Sequence, residues 1–142
     1  VIEFVVPGVP VPQPRPRVRV AGGHAFAYTP GDHPVHTFRE AVAIAAKIAG
    51  ATPVGTEVDI EIEGLFVFAR PASHFLKSGE LSASATRRPR PDTDNIGKAV
   101  KDALNKVAYA DDNQVVDERW RRRYGARGEA AHTIVTIRVL HE

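Results

Sequence analysis

The chain has 142 residues, 43% of them hydrophobic, which suits one globular domain (residues 1–142) with a single core. It holds no cysteine, so disulfides and thiolate metal sites are excluded, and no stretch approaches the roughly 20 apolar residues that span a bilayer. The net charge of +2 hides strong local clustering: Arg15, Arg17 and Arg19 alternate near the start, while Arg87, Arg88 and Arg90 precede a group of aspartates that Arg119, Arg121, Arg122 and Arg123 follow. Such clusters neutralise phosphates, the term that dominates nucleic-acid affinity. With no basic segment leading into an apolar one, a soluble, cytoplasmic protein is expected.

In chain order, VIEFVV at residues 1–6 reads as a strand stopped by Pro7-Gly8. The prolines of residues 10–16 forbid helix and central strand. RVRV then alternates, with Arg15, Arg17 and Arg19 on one side and Val18 and Val20 on the other. Gly22-Gly23 turns the chain into a returning strand, HAFAY. From Pro34 to Ala49, Val35, Phe38, Ala41, Val42, Ala45, Ile48 and Ala49 recur every three or four residues, one face of an amphipathic helix. Glu57 to Glu63 alternates acids with Val58, Ile60 and Ile62, and LFVF extends it as a long strand; its acids are read as a solvated face. Residues 70–91 lack periodicity and form a long loop containing His74, of a length often functional or mobile. Residues 114–124 and 133–140 complete the order as two strands, expected to form a hairpin at Gly125 and Gly128. The sum is an α/β (α+β) fold: a mixed sheet with two main helices packed on it.

The stretch from Pro91 to Val116 carries the chemistry. Pro91 keeps Arg90 extended, so a helix begins just after it with Asp92 near the N-cap. Across that extended start, the carboxylates of Asp92 and Asp94 can share one hard cation, and Lys98 stands one turn beyond Asp94. Taken alone, this pattern is also that of a capped helix with an ordinary Asp-to-Lys pair. Asp111 or Asp112 can return to the first pair if the helix stops near Asn105, a residue able to take the left-handed cap: about six extended residues reach about 20 Å, against about 15 Å of helix. Tyr109 would then pack along the helix. Carboxylates so gathered repel one another unless a cation compensates, which points to Mg²⁺ or Mn²⁺ and phosphodiester hydrolysis.

RPDTDNIGKAVKDAL followed by YADDNQVV, with GVPVPQPRPRV near the start, resembles the RusA family of Holliday junction resolvases. The resemblance implies a homodimeric, Mg²⁺- or Mn²⁺-dependent endonuclease that nicks four-way DNA junctions symmetrically. It implies metal binding by Asp92, Asp94 and Asp112, with Asp111 contributing, and an essential Lys98. Arg15, Arg17, Arg19, Arg87, Arg88 and Arg90 are the expected DNA contacts. The chain departs from the family pattern at Gly97, inside the helix, and at Lys106, where the family often has glycine. Two other readings are a less selective nuclease of flaps or forks, and a junction-binding protein without catalysis; the presence of every proposed acid and of Lys98 weighs against the latter.

Overall fold

The computed structural model describes residues 1–141, in which these patterns become six strands and two α-helices. In chain order they are β1 (Ile2–Pro7), β2 (Arg17–Ala21), β3 (His24–Tyr28), α1 (Val35–Ile48), β4 (Asp59–Phe68), α2 (Thr93–Leu104), β5 (Val115–Tyr124) and β6 (His132–Leu140). Short 3-10 turns stand at Ala72–His74 and Asp112–Gln114. Among the described residues no helix is long and apolar enough to cross a membrane.

The main sheet runs β1-β6-β4-β5, and β2 with β3 forms a separate two-stranded ribbon. β5 and β6 are not the hairpin that their turn glycines predict: β6 pairs antiparallel with β1 and β4, while β5 lies parallel to β4 on its far side. The reason is polarity. β4 ends in LFVF, and Phe66 and Val67 on its opposite faces are both buried, so it takes a flanked position. β5, VVDERWRRRY, stays largely exposed at the edge. Because β4 and β5 are parallel, the chain between them must cross over, and α2 is the crossover helix.

Both helices lie on the face made by Phe4, Val6, Ile60, Ile62, Phe66, Val135 and Ile137, where the core sits. The buried stripe of α1 is Val35, Phe38, Val42 and Ala46, turned slightly from the expected one. Ile48 is thereby left 83% exposed rather than buried. On α2, Ile96, Ala99, Val100 and Leu104 are buried as their spacing predicts. The acids of β4 are tied down more than a solvated face requires, since Arg138 of β6 reaches Glu61 at 3.0 Å and Glu63 at 3.5 Å.

Trp120 fixes the height of α2 above the sheet. It faces Gly64 in the β4–β5 register and stacks on Phe66 with ring centroids 5.8 Å apart. Above it lies the backbone of Gly97, where a Cβ would stand 2.4 Å from the Trp120 Cε2 atom; at Gly64 a Cβ would stand 2.6 Å from the same indole. Glycine inside α2 is therefore a steric requirement that outweighs its helix propensity. Gly97→Ala separates the two effects. Propensity alone predicts a gain of about 1 kcal/mol, whereas overpacking against the indole predicts a net loss of about 1–2 kcal/mol. A lowered thermal midpoint is the expected outcome, and a raised one would remove Trp120 from this role.

Candidate active site

Asp92 is the N-cap of α2, in extended conformation (φ −72°, ψ 137°), as Pro91 predicts. Its carboxylate makes no capping hydrogen bond. It projects instead from the surface with a side chain 70% exposed, 3.8 Å from the guanidinium of Arg122. The same Arg122 Nη1 donates to the Pro91 carbonyl at 2.9 Å, so one side chain holds the residue before the helix and faces the first acid in it. Asp94 lies exposed in the first turn, where the helix dipole favours an anion. Lys98 is exposed one turn on. Lys101, by contrast, is committed to Glu118 at 2.7 Å.

The contacts of α2 with β5 read as a ladder. Glu118, Trp120 and Arg122 alternate onto one face of the strand and meet Lys101, Gly97 and Asp92 in turn. The helix therefore runs antiparallel to β5, with Asp92 at the far end of the strand. The second aspartate pair immediately precedes β5, at the end where the strand passes the last turns of α2.

How that pair is held follows from three residues. The helix stops at Leu104, as a return requires, but the left-handed residue is Lys106 (φ 64°) while Asn105 is extended. Val107 and Ala108 amides bond back to the Leu104 carbonyl, and the Lys106 amide to that of Tyr109, so the reversal falls one residue later than Asn105 predicts. Tyr109 then packs fully buried along the helix, its hydroxyl donating to the Lys101 carbonyl at 2.6 Å. Gln114 completes the anchorage: its Oε1 accepts from the amides of Ala110 and Asp111 at 2.9 and 3.0 Å, and its Nε2 donates to the carbonyls of Gly55 and Val58 at 2.8 and 2.9 Å. Asp111 accepts from the Asn113 amide as the cap of the 3-10 turn, and Asp112 is exposed.

The two pairs accordingly stand at opposite ends of α2, a helix of about 18 Å at 1.5 Å per residue. Among the described residues, no three acidic or histidine side chains converge closely enough to hold a cation. The return that chain length allows is arrested at the last turns of the helix, because Tyr109 and Gln114 pin the turn there.

The arginines divide between two surfaces. The Gln13 backbone N–H donates to the Asn95 carbonyl at 2.9 Å, laying the proline-rich arm across the first turn of α2, two residues before Arg15. In the ribbon, Arg17 is opposite Tyr28, Arg19 opposite Phe26 and Ala21 opposite His24, giving one basic and aromatic face; Val18, Val20, Ala25 and Ala27 form the other. Arg87, Arg88 and Arg90 are exposed in the loop that leads to Asp92. His74 does not join the aspartates; its Nδ1 accepts from Arg70 at 3.3 Å, and its ring meets Tyr124 edge-on. Trp120 and Gln114 have no role in the sequence reading, and Arg122, read there only as one of a phosphate-neutralising cluster, instead holds the Pro91 carbonyl beside Asp92; alternation in β5 and the isolated Gly97 were the signal.

Residues 7–138 match the family described as endodeoxyribonuclease RusA. The chain belongs to that family. It is also similar to YqaN of Bacillus subtilis (strain 168), an uncharacterized protein, with 33% identity over 119 residues, 82% of each chain. Membership in the RusA endodeoxyribonuclease family agrees with an exposed acidic helix start set among arginines.

Burial, and next the charges of Asp112, Asp102 and Glu118, hold the Tyr109 phenol protonated far above its ordinary value of 10.0. Its contribution to stability is therefore complete below about pH 10, where the unfolded phenol is also protonated, and is lost as the pH rises through the folded value. The free energy of unfolding should fall by about 1.4 kcal/mol per pH unit above about pH 10. Tyr109→Phe should remove that slope in denaturant titrations at alkaline pH; a variant with the wild-type slope would overturn the assignment.

Proposed function

We propose that the protein is a Mg²⁺-dependent endodeoxyribonuclease, with Mn²⁺ able to substitute, that resolves four-way DNA junctions as a homodimer. The observation that carries this reading is the exposed, uncapped Asp92 with Asp94 across the α2 start and Lys98 one turn on, in a chain of an endodeoxyribonuclease family. The donors suit a hard cation in kind, being carboxylate oxygens free of competing capping bonds.

One chain brings two carboxylates to that end of α2, and the other two lie a helix length away. A two-fold related copy with its α2 antiparallel sets Asp111 and Asp112 of one protomer beside Asp92 and Asp94 of its partner, twice over, and each site then holds four acids. Two symmetric sites also match paired cuts in a junction. When bound, a divalent cation supplies an activated water and neutralises charge at the phosphate. Lys98 faces the same phosphate and stabilises charge developing on its oxygens. Arg122 keeps Asp92 in place through the Pro91 carbonyl. The basic faces of the ribbon and the arginines of residues 87–90 hold the DNA arms, with the salt dependence that phosphate contacts impose.

Asp94→Asn and Lys98→Ala are each expected to lower cleavage of a synthetic four-way junction in Mg²⁺ by roughly 100-fold or more while junction binding persists. Undiminished cutting by either would place the site elsewhere. Comparison of four-way junction, fork and linear duplex, with and without Mg²⁺, separates a resolvase from a broader branched-DNA nuclease.

Mixing the inactive Asp94→Asn and Asp112→Asn chains tests the shared site. Heterodimers carry one wholly intact site if the pairs meet across the dimer, so nicking should return on mixing; if both pairs act within one chain, both sites stay damaged and the mixture stays inactive.

A further inference from the structure

We infer that the hollow beside Tyr124 is a seat for one unstacked nucleobase of the DNA strand next to the cut. This rests on the nuclease reading above and adds to it a means of choosing branched DNA. The hollow, of about 400 Å³, opens between the end of β4, the loop and the end of β5; its walls include Phe68, Pro91 and Tyr124, and His74, Thr86 and Arg90 supply polar groups. An apolar cup with a few convergent polar groups, within the roughly 300–1,000 Å³ range of small-molecule sites, fits a flat heteroaromatic ring better than a phosphate.

The hollow is braced before any ligand enters. The Arg70 guanidinium lies over the Tyr124 ring, 4.1 Å from its centroid, without itself lining the hollow. Arg70 Nη1 also donates to the Thr86 carbonyl and to His74 Nδ1, so it ties the two sides of the loop together. The His74 ring stands perpendicular to Tyr124 with centroids 5.6 Å apart, and the Thr86 and Tyr124 hydroxyls are 3.3 Å apart. Arg70, His74 and Thr86, from the stretch that sequence periodicity leaves as a long loop, are thus gathered at the end of β5 around one aromatic ring. Such a ring is a stacking platform for any base, and the polar groups face the base's edge.

Position gives the hollow its meaning. Tyr124 is the next residue on the same face of β5 after Arg122, about 7 Å further along the strand. Pro91 lines the hollow, and its neighbour in sequence, Asp92, opens the acidic helix start. A base seated here belongs to a nucleotide adjoining the phosphate presented to Asp92 and Asp94. Withdrawing a base from a duplex costs stacking and pairing energy, and costs least where the base is already unpaired or mismatched. A nuclease that must seat a base before cutting therefore favours branch points over continuous duplex.

The test uses full-length Asp94→Asn protein, which is expected to bind without cutting, and four-way junctions carrying 2-aminopurine at single positions around the crossover. Fluorescence should rise at one position adjoining the cleaved phosphate, and this rise should vanish with Tyr124→Ala or Tyr124→Leu added, while anisotropy shows the junction still bound. The Leu variant keeps apolar bulk without a π face, which guards against a merely unfolded Ala protein. In otherwise wild-type protein, Tyr124→Leu should slow cutting about tenfold, and an abasic nucleotide at the responsive position should erase the difference between the two proteins. A bound junction whose fluorescence changes at no position overturns the seat and leaves the nuclease reading standing. A junction that is not bound at all overturns both.

Discussion

The arrangement turns on a single stacked contact, the Trp120 indole held between Gly64 of β4 and Gly97 of α2. Both glycines are there because neither position has room for a Cβ, and together they let the helix axis come close to the edge of the sheet. The exposed acids Asp92 and Asp94, Lys98 and the second aspartate pair are mounted on that helix or on the segments that lead into and out of it. Four helical residues rise about 6.0 Å and two strand residues about 6.6 Å. Once Trp120 sets the register, the side chains before and after it in β5 fall opposite successive turns of α2. Lys101 with Glu118 and Asp92 with Arg122 are consequences of that match.

The same match separates two jobs along one strand. Toward its start, β5 is preceded by a turn whose aspartates are locked by Tyr109 and by all four hydrogen bonds of Gln114. Toward its end, Arg122 and Tyr124 reach a helix start and a loop that are open to solvent. The rigid end keeps a carboxylate pair at fixed height; the open end leaves Asp92 and Asp94 exposed, with Arg122 beside the first. The two first acids of the pairs differ in their partners, since Asp111 caps a turn while Asp92 at a helix N-cap makes no capping bond.

Much of this was readable from residue order alone. Apolar spacing in α2, the β-favouring alternation of β4, and Pro91 as the stop before Asp92 are local signals, and each element formed where its signal lay. What stayed hidden was pairing between distant segments. The turn glycines after Tyr124 suggest a hairpin, but the two-sided apolar run of β4 competes for both neighbours and places itself between β5 and β6. Asn105 is the better left-handed residue by propensity, yet the reversal needs that conformation one position later, and Lys106 adopts it. The aspartates were recognisable as a motif; their separation was not, because it is imposed by Tyr109 on the Lys101 carbonyl and by Gln114, which reaches the carbonyls of Gly55 and Val58 far back in sequence.

β6, the final strand in sequence, occupies an interior place in the sheet, with β1 and β4 on either side. Ile2 is paired with Ile137, so the first strand has no partner until almost the whole chain exists. Long-range pairing of this kind makes folding slow and all-or-none, because the entropy of loop closure must be met before the contacts return anything. A ribosome-bound or truncated chain thus has its aspartates and arginines but no platform to hold them in relation. For a member of an endodeoxyribonuclease family, this topology acts as a safeguard: the candidate site is assembled only once the sheet is complete.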